Sequence, residues 1–119
     1  VFDFIINEGS GTIKSMLEYM NWDKDEVDFY ALHQAVRVTL NFMRKRLKLD
    51  KKKSPFYLQN YGNTSSTTIP LVLSSYVHSE QIDTSKWNKV IMCGFGIGLS
   101  WGSIACDLSN TNIYKPINQ

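Results

Sequence analysis

Cysteine is scarce in this 119-residue chain, where Cys93 and Cys106 are the only two. Both sit in apolar, strand-like runs, where a reduced thiol behaves as a small hydrophobe, so each is expected to be a buried structural residue. Only two histidines accompany them, and nothing in the spacing resembles a metal site or a disulfide framework. That pattern suits a cytoplasmic protein. Long hydrophobic runs are lacking as well. The apolar stretch 90–106, free of charged residues, holds four glycines and gives way to polar residues, so it is not expected to span a membrane. Val1 opens the chain without an initiator Met, and no signal peptide or charged leader follows. No internal repeat or low-complexity segment is present.

What remains is an ordinary globular composition, 43% apolar and 13% aromatic. The length suits one domain with a real core and is short for two. The net charge of +2 hides a local feature: eight basic side chains between Arg37 and Lys53 meet a single acid, Asp50.

Periodicity assigns the elements. Ile13, Met16, Leu17 and Met20 share one helical face, with Ser10 as a cap and Gly9 and Gly11 separating that helix from the apolar segment 1–6. An acidic turn, 21–26, leads to a short strand at 27–32. Val36, Leu40, Met43 and Leu47 form a second helical stripe, predicting a helix over 34–49 whose basic end complements the helix dipole. A turn at 51–55 and a short strand at 56–59 follow. The polar, hydroxyl-rich stretch 60–68 precedes a third helix over 69–77, with Pro70 tolerated in its first turn. Strands are expected at 89–95 and 103–108, joined by a glycine-rich turn at 94–102, before a polar tail. The order helix–strand–helix–strand–helix–strand–strand implies a layered α/β domain.

Three segments stand at the ends of predicted strands. Leu32-His33-Gln34-Ala35 sets an imidazole at a strand-to-helix junction, where open α/β sheets keep their sites; taken alone it is an ordinary turn histidine. Tyr61-Gly62-Asn63-Thr64-Ser65-Ser66 taken alone is a helix-capping loop. Gly94-Phe95-Gly96-Ile97-Gly98-Leu99-Ser100-Trp101-Gly102 fails as a phosphate loop, because Leu99 occupies the last glycine position and a strand follows. Its glycines still allow close backbone approach to a ligand.

Together, HQA thirty residues before the Asn of YGNTSS, then GFGxGLSWG, resemble the C-terminal signature of the β-ketoacyl-ACP synthase III family. The resemblance runs through essentially the whole chain. It implies a thiolase-like fold of which 1–119 is the second half, the nucleophilic Cys lying in an N-terminal half not present here. It implies an acyltransferase of fatty-acid initiation: that Cys takes an acyl group from acyl-CoA, and malonyl-ACP is decarboxylated to an enolate that attacks it. Decarboxylation builds charge on a thioester oxygen, so donors aimed there count most in the transition state. By the resemblance His33, neutral, and Asn63 are those catalytic donors, and the Ile97 backbone N–H serves the second oxyanion. No cofactor beyond the CoA and ACP thioesters is implied. The implied partners are acyl carrier protein, acyl-CoA and a second copy in a homodimer, with neither nucleic acid nor membrane.

Asn63 distinguishes the chain from elongating synthases, which use two histidines, and neither cysteine has the CxG setting of thiolases. Two departures stand out. Val36 replaces the Asn that follows HQA near the pantetheine path, and Ile97 replaces the middle glycine of the usual GGG. The basic segment reads either as a solvated helix end or as a steering patch for acidic ACP, with Arg37, Arg44 and Arg46 as docking residues beside Lys45. His78 is expected at the surface, Trp101 as a packing anchor, and the hydroxyls at 65–68 in capping and packing. Alternative readings are a non-catalytic thiolase-fold partner subunit, or a relative acting on a specialised acyl substrate.

Overall fold

A computed structural model describes residues 2–34, 36–57, 62–96 and 100–117. A short helical turn α1 (Phe2–Phe4) runs through a π-helical turn (Ile5–Gly9) into α2 (Ser10–Met20). Strand β1 (Phe29–Leu32), helix α3 (Arg37–Leu47), helix α4 (Thr68–Ser79) and strands β2 (Val90–Gly96) and β3 (Ser100–Cys106) follow, with 3-10 turns at Ser65–Thr67 and Thr84–Lys86. The sheet order is β1-β2-β3. β1 and β2 are parallel, pairing Phe29 with Val90 and Leu32 with Cys93. β2 and β3 form an antiparallel hairpin pairing Val90 with Cys106 and Gly96 with Ser100.

Strand alternation divides the core between two faces. Tyr30, Leu32, Ile91, Cys93 and Phe95 pack with Ile13 of α2 and Leu40 and Met43 of α3. Phe29, Ala31 and Val90 pack with Val72, Leu73 and Val77 of α4, and with Trp87. Helices therefore cover both faces of β1, which is buried along its whole length, as a parallel strand in a layered α/β domain should be. Phe29 lies stacked between Trp87 and Tyr76, at centroid distances of 4.6 and 5.2 Å. The radius of gyration, 13.6 Å, matches the ~13.5 Å expected of a close-packed chain of this length.

Several local expectations are corrected. Gly9 and Gly11 do not break the first helix, and Ser10 does not cap it; Gly9 and Ser10 are right-handed helical, and the Ser10 side chain is buried. Gly9 is instead a contact point: a Cβ there would stand 3.2 Å from Met43 Cε and 3.6 Å from Phe95 Cδ1. The second helix begins at Arg37, because Val36 is extended (φ −138°, ψ 149°), and it closes on left-handed Lys48. Val36 is consequently exposed rather than part of the core stripe. Phe56 and Tyr57 form no strand; the remainder of the segment expected at 56–59 lies outside the described residues. Gly94 and Gly96 belong to β2 and Gly102 to β3, so the glycines expected in a turn mostly lie in the hairpin's strands. Cys93 is fully buried and Cys106 partly so. Trp101 is half-exposed, its ring meeting Phe4 edge-on at 5.0 Å. His78 is at the surface as expected, where it donates to the Ile113 carbonyl.

Candidate active site

His33 follows the last residue of β1. Its N–H donates to the Cys93 carbonyl at 2.9 Å, continuing the parallel ladder by one step and fixing the backbone at the carboxyl end of the sheet. Its ring meets Phe95 of β2 edge-on at 5.1 Å, and its Nδ1 lies 2.7 Å from Thr68 Oγ1. Thr68, buried, is the first residue of α4, and its hydroxyl also accepts the Gln34 N–H at 3.2 Å. The half-buried imidazole has its pKa pulled below the usual histidine value, because burial disfavours its charged form.

Gln34 shows why the chain turns here instead of entering a helix. Its buried amide donates to the Leu32 carbonyl at 2.7 Å and the Pro55 carbonyl at 3.4 Å, and its Oε1 accepts the Tyr57 N–H at 2.9 Å. One side chain thus ties the strand end to the loop after α3.

Asn63 stands on the approach to α4. Its Oδ1 accepts the Ser65 N–H at 2.9 Å, an Asx turn leading into the 3-10 segment. Gly62 (φ +70°) and Ser65 (φ +62°) take left-handed conformations around it. Asn63 is exposed. Through Thr68, His33 is bonded to the start of α4, the helix that the Asn63 turn opens, so residues far apart in sequence share one end of the sheet. Gln34, Tyr57, Gly62, Thr64 and Thr68, with Leu71 and Val72, line a small cavity. Ile97 lies outside the described residues. Its flanking pair, Gly96 and Ser100, ends the hairpin next to Phe95, against the His33 ring.

The expected docking arginines separate. Arg37 is exposed, its guanidinium 4.3 Å over the Phe56 ring. Arg46 and Lys45 are exposed. Arg44 is not available as a docking residue: it is buried, with Nε donating to the Ser54 carbonyl at 2.7 Å, Nη2 to the same oxygen, and Nη1 to Asn41 Oδ1 at 3.0 Å. Burial and the nearby Arg37 charge pull its pKa down.

Sequence reasoning missed Thr68 and Gln34, reading the first as capping and packing and leaving the second without a role. It also missed the burial of Arg44, although a signal existed: Leu40, Met43, Arg44 and Leu47 are themselves spaced i, i+3, i+4 and i+7. Among the described residues no group of three or more His, Cys, Asp or Glu side chains could hold a metal ion. No helix among them is long and apolar enough to cross a membrane.

A mixed sheet with helices on both faces, a His at a strand end and an Asn turn ahead of a helix together match the C-terminal half of the thiolase-like condensing-enzyme fold. The chain belongs to the 3-oxoacyl-[acyl-carrier-protein] synthase III family: the model of that family's C-terminal region matches residues 17–108. It is 36% identical over 104 residues to the beta-ketoacyl-[acyl-carrier-protein] synthase III of Streptococcus gordonii, covering 87% of this chain and 32% of that protein. It is 38% identical over 108 residues to the Lactococcus lactis enzyme of the same name, covering 91% of this chain and 33% of that protein. The crystal structure of a 3-oxoacyl-(acyl-carrier protein) synthase from Burkholderia xenovorans superposes with a TM-score of 0.85 at 29% identity, over 97% of this chain and 32% of that one. The chain therefore spans about a third of the length of the curated relatives it matches.

Proposed function

We propose that this chain is the C-terminal catalytic part of a β-ketoacyl-ACP synthase III, an acyltransferase that joins an acyl group to malonyl-ACP in fatty-acid initiation. The observation that carries this reading is His33, held by Thr68 at the sheet's carboxyl end and bonded to the helix that the Asn63 turn opens. The N-terminal part of the whole protein supplies a Cys whose thiolate takes the acyl group from acyl-CoA and releases the CoA thiol. Malonyl-ACP then loses CO2, and the electron pair of the broken C–C bond passes into an enolate. The enolate carbon attacks the acyl thioester, and the tetrahedral intermediate expels the Cys thiolate to leave 3-oxoacyl-ACP.

Charge develops first on the malonyl thioester oxygen. Neutral His33 and the Asn63 amide donate to it, and a lowered pKa suits His33 to that task because an uncharged imidazole still donates. The backbone N–H of Ile97 meets the oxyanion of the condensation step. The reaction uses CoA and ACP thioesters and needs no further cofactor. Arg37 and Arg46, with Lys45, steer the acidic carrier protein, and the whole enzyme works as a cytoplasmic homodimer.

The test is made on the intact enzyme with His33→Ala and Asn63→Ala. Each is expected to lower malonyl decarboxylation roughly 100- to 1,000-fold while acylation of the Cys is largely retained. Equal losses in the two half-reactions would exclude the donor roles.

A further inference from the structure

We infer that Thr68 is a positioning residue that sets the tautomer of His33, so that Nε2 carries the proton and Nδ1 is the acceptor. The inference rests on the donor role proposed for His33 and names what makes the imidazole a donor on the substrate side.

The argument follows the hydrogens around one buried oxygen. Thr68 Oγ1 accepts the Gln34 N–H at 3.2 Å. That N–H is fixed, since the Gln34 side chain is clamped to Leu32, Pro55 and Tyr57. The hydroxyl has a proton of its own to place, and a buried O–H without an acceptor is costly. The carbonyl one helical turn back, that of Thr64, receives the Thr67 hydroxyl at 2.6 Å, and among the described residues the Thr68 hydroxyl makes no bond to it. His33 Nδ1, at 2.7 Å, is the acceptor that remains in bonding contact among the described residues. A neutral imidazole carries one N–H. Were it on Nδ1, Thr68 would face two N–H donors and its own proton would be stranded. With the hydroxyl donating to Nδ1, every hydrogen is placed and Nε2–H is left to act.

The same turn orients the other donor. The Ser65 N–H can only donate, so the Asn63 atom it meets at 2.9 Å is Oδ1. Nδ2 is therefore the other end of that amide. Residues 63–68 thus fix the polarity of both groups, one by a hydroxyl and one by a backbone N–H.

The experiment is 15N NMR of the intact enzyme carrying labelled histidine, with the His33 signals assigned by their loss in His33→Ala. At neutral pH the wild type is expected to show a pyridine-like Nδ1 and a pyrrole-like Nε2. A pyrrole-like Nδ1 overturns the proposal without any variant. Thr68→Val, which keeps the shape and removes the hydroxyl, is expected to move His33 toward the other tautomer. It should also lower malonyl decarboxylation at least about tenfold, with Cys acylation retained. Thr68→Ser is expected to restore both. A valine variant that keeps the Nε2–H signature and decarboxylates within about twofold of wild type sinks the inference, as does a serine variant no better than valine. His33→Ala separates the two levels of failure. If it leaves decarboxylation intact, the donor reading fails; if it abolishes the step while Thr68→Val does not, only the tautomer assignment fails.

Discussion

The imidazole of His33 lies half-buried between Thr68 and Phe95, and burial holds its pKa below the ordinary histidine value. Decarboxylation that depends on the neutral ring is expected to persist as pH is lowered to about 6.5 and to fall only below it. Folding is linked to the same proton. The unfolded chain takes it up near 6.5 and the folded chain only lower, so this contribution to stability is full above that pH. It is lost as pH falls toward the folded value. A pH–rate profile of malonyl decarboxylation in the intact enzyme checks the prediction; an acid limb centred at or above pH ~7 would contradict it. At this scale the sequence named His33 and Asn63 through their motifs. It could not name Thr68, because the partner of a hydroxyl depends on how closely α4 approaches β1, which no local spacing encodes. The burial expected of Cys93 was legible: the thiol is fully buried, and burial pushes its pKa up to about 11, leaving almost no thiolate near neutrality.

Helix α3 presents its charges unevenly. Arg37, Lys45 and Arg46 are exposed, whereas Arg44 turns inward to the Ser54 carbonyl and locks the loop after the helix. Charge reversal at Arg37 and Arg46 in the intact enzyme is expected to lower kcat/KM for malonyl-ACP while sparing kcat. The deficit should shrink as salt shortens the Debye length to roughly 3 Å at 1 M. Arg44→Ala is expected to behave differently, lowering stability by about 1–3 kcal/mol because a buried carbonyl loses its partner. Thermal melting and steady-state kinetics in a salt series separate the two. If both donors, carrier-bound and CoA-bound malonyl, lose equally on reversal, the exposed arginines are a solvated helix end. The helix itself was legible in the stripe Leu40, Met43 and Leu47. Its start was not, since the Gln34 side chain is spent on the backbone of Leu32 and Tyr57, and Val36 is extended rather than helical. The first helix failed for a related reason. Glycine at position 9 reads locally as a breaker, but it lies in helical backbone, where a Cβ would crowd the end of Met43 and touch Phe95.

At the scale of the molecule, the chain is about a third of its relatives' length, and the nucleophile of the proposed reaction lies outside it. The isolated chain is expected to show no malonyl-dependent extension of an acyl-CoA, as followed by release of labelled CO2 and formation of 3-oxoacyl-ACP. Extension by this chain alone would refute the division of labour. The layered α/β class was legible because each helix carries one apolar stripe and β1 and β2 are apolar on both faces. The order of strands was not, because the pairing of β1 with β2 joins segments from opposite ends of the chain.

That pairing has a consequence for synthesis. Phe29–Leu32 is apolar on both faces and finds its partner only when Val90–Cys93 has been made. Until then a nascent chain carries a hydrophobic strand whose β2-side edge has no backbone partner, even though the helices that cover its two faces have been made. Contacts so distant along the sequence form slowly, because loop closure precedes any gain from them. A ribosome paused anywhere before residue 90 therefore holds a chain prone to associate with its neighbours, and chaperone demand should be greatest in that window.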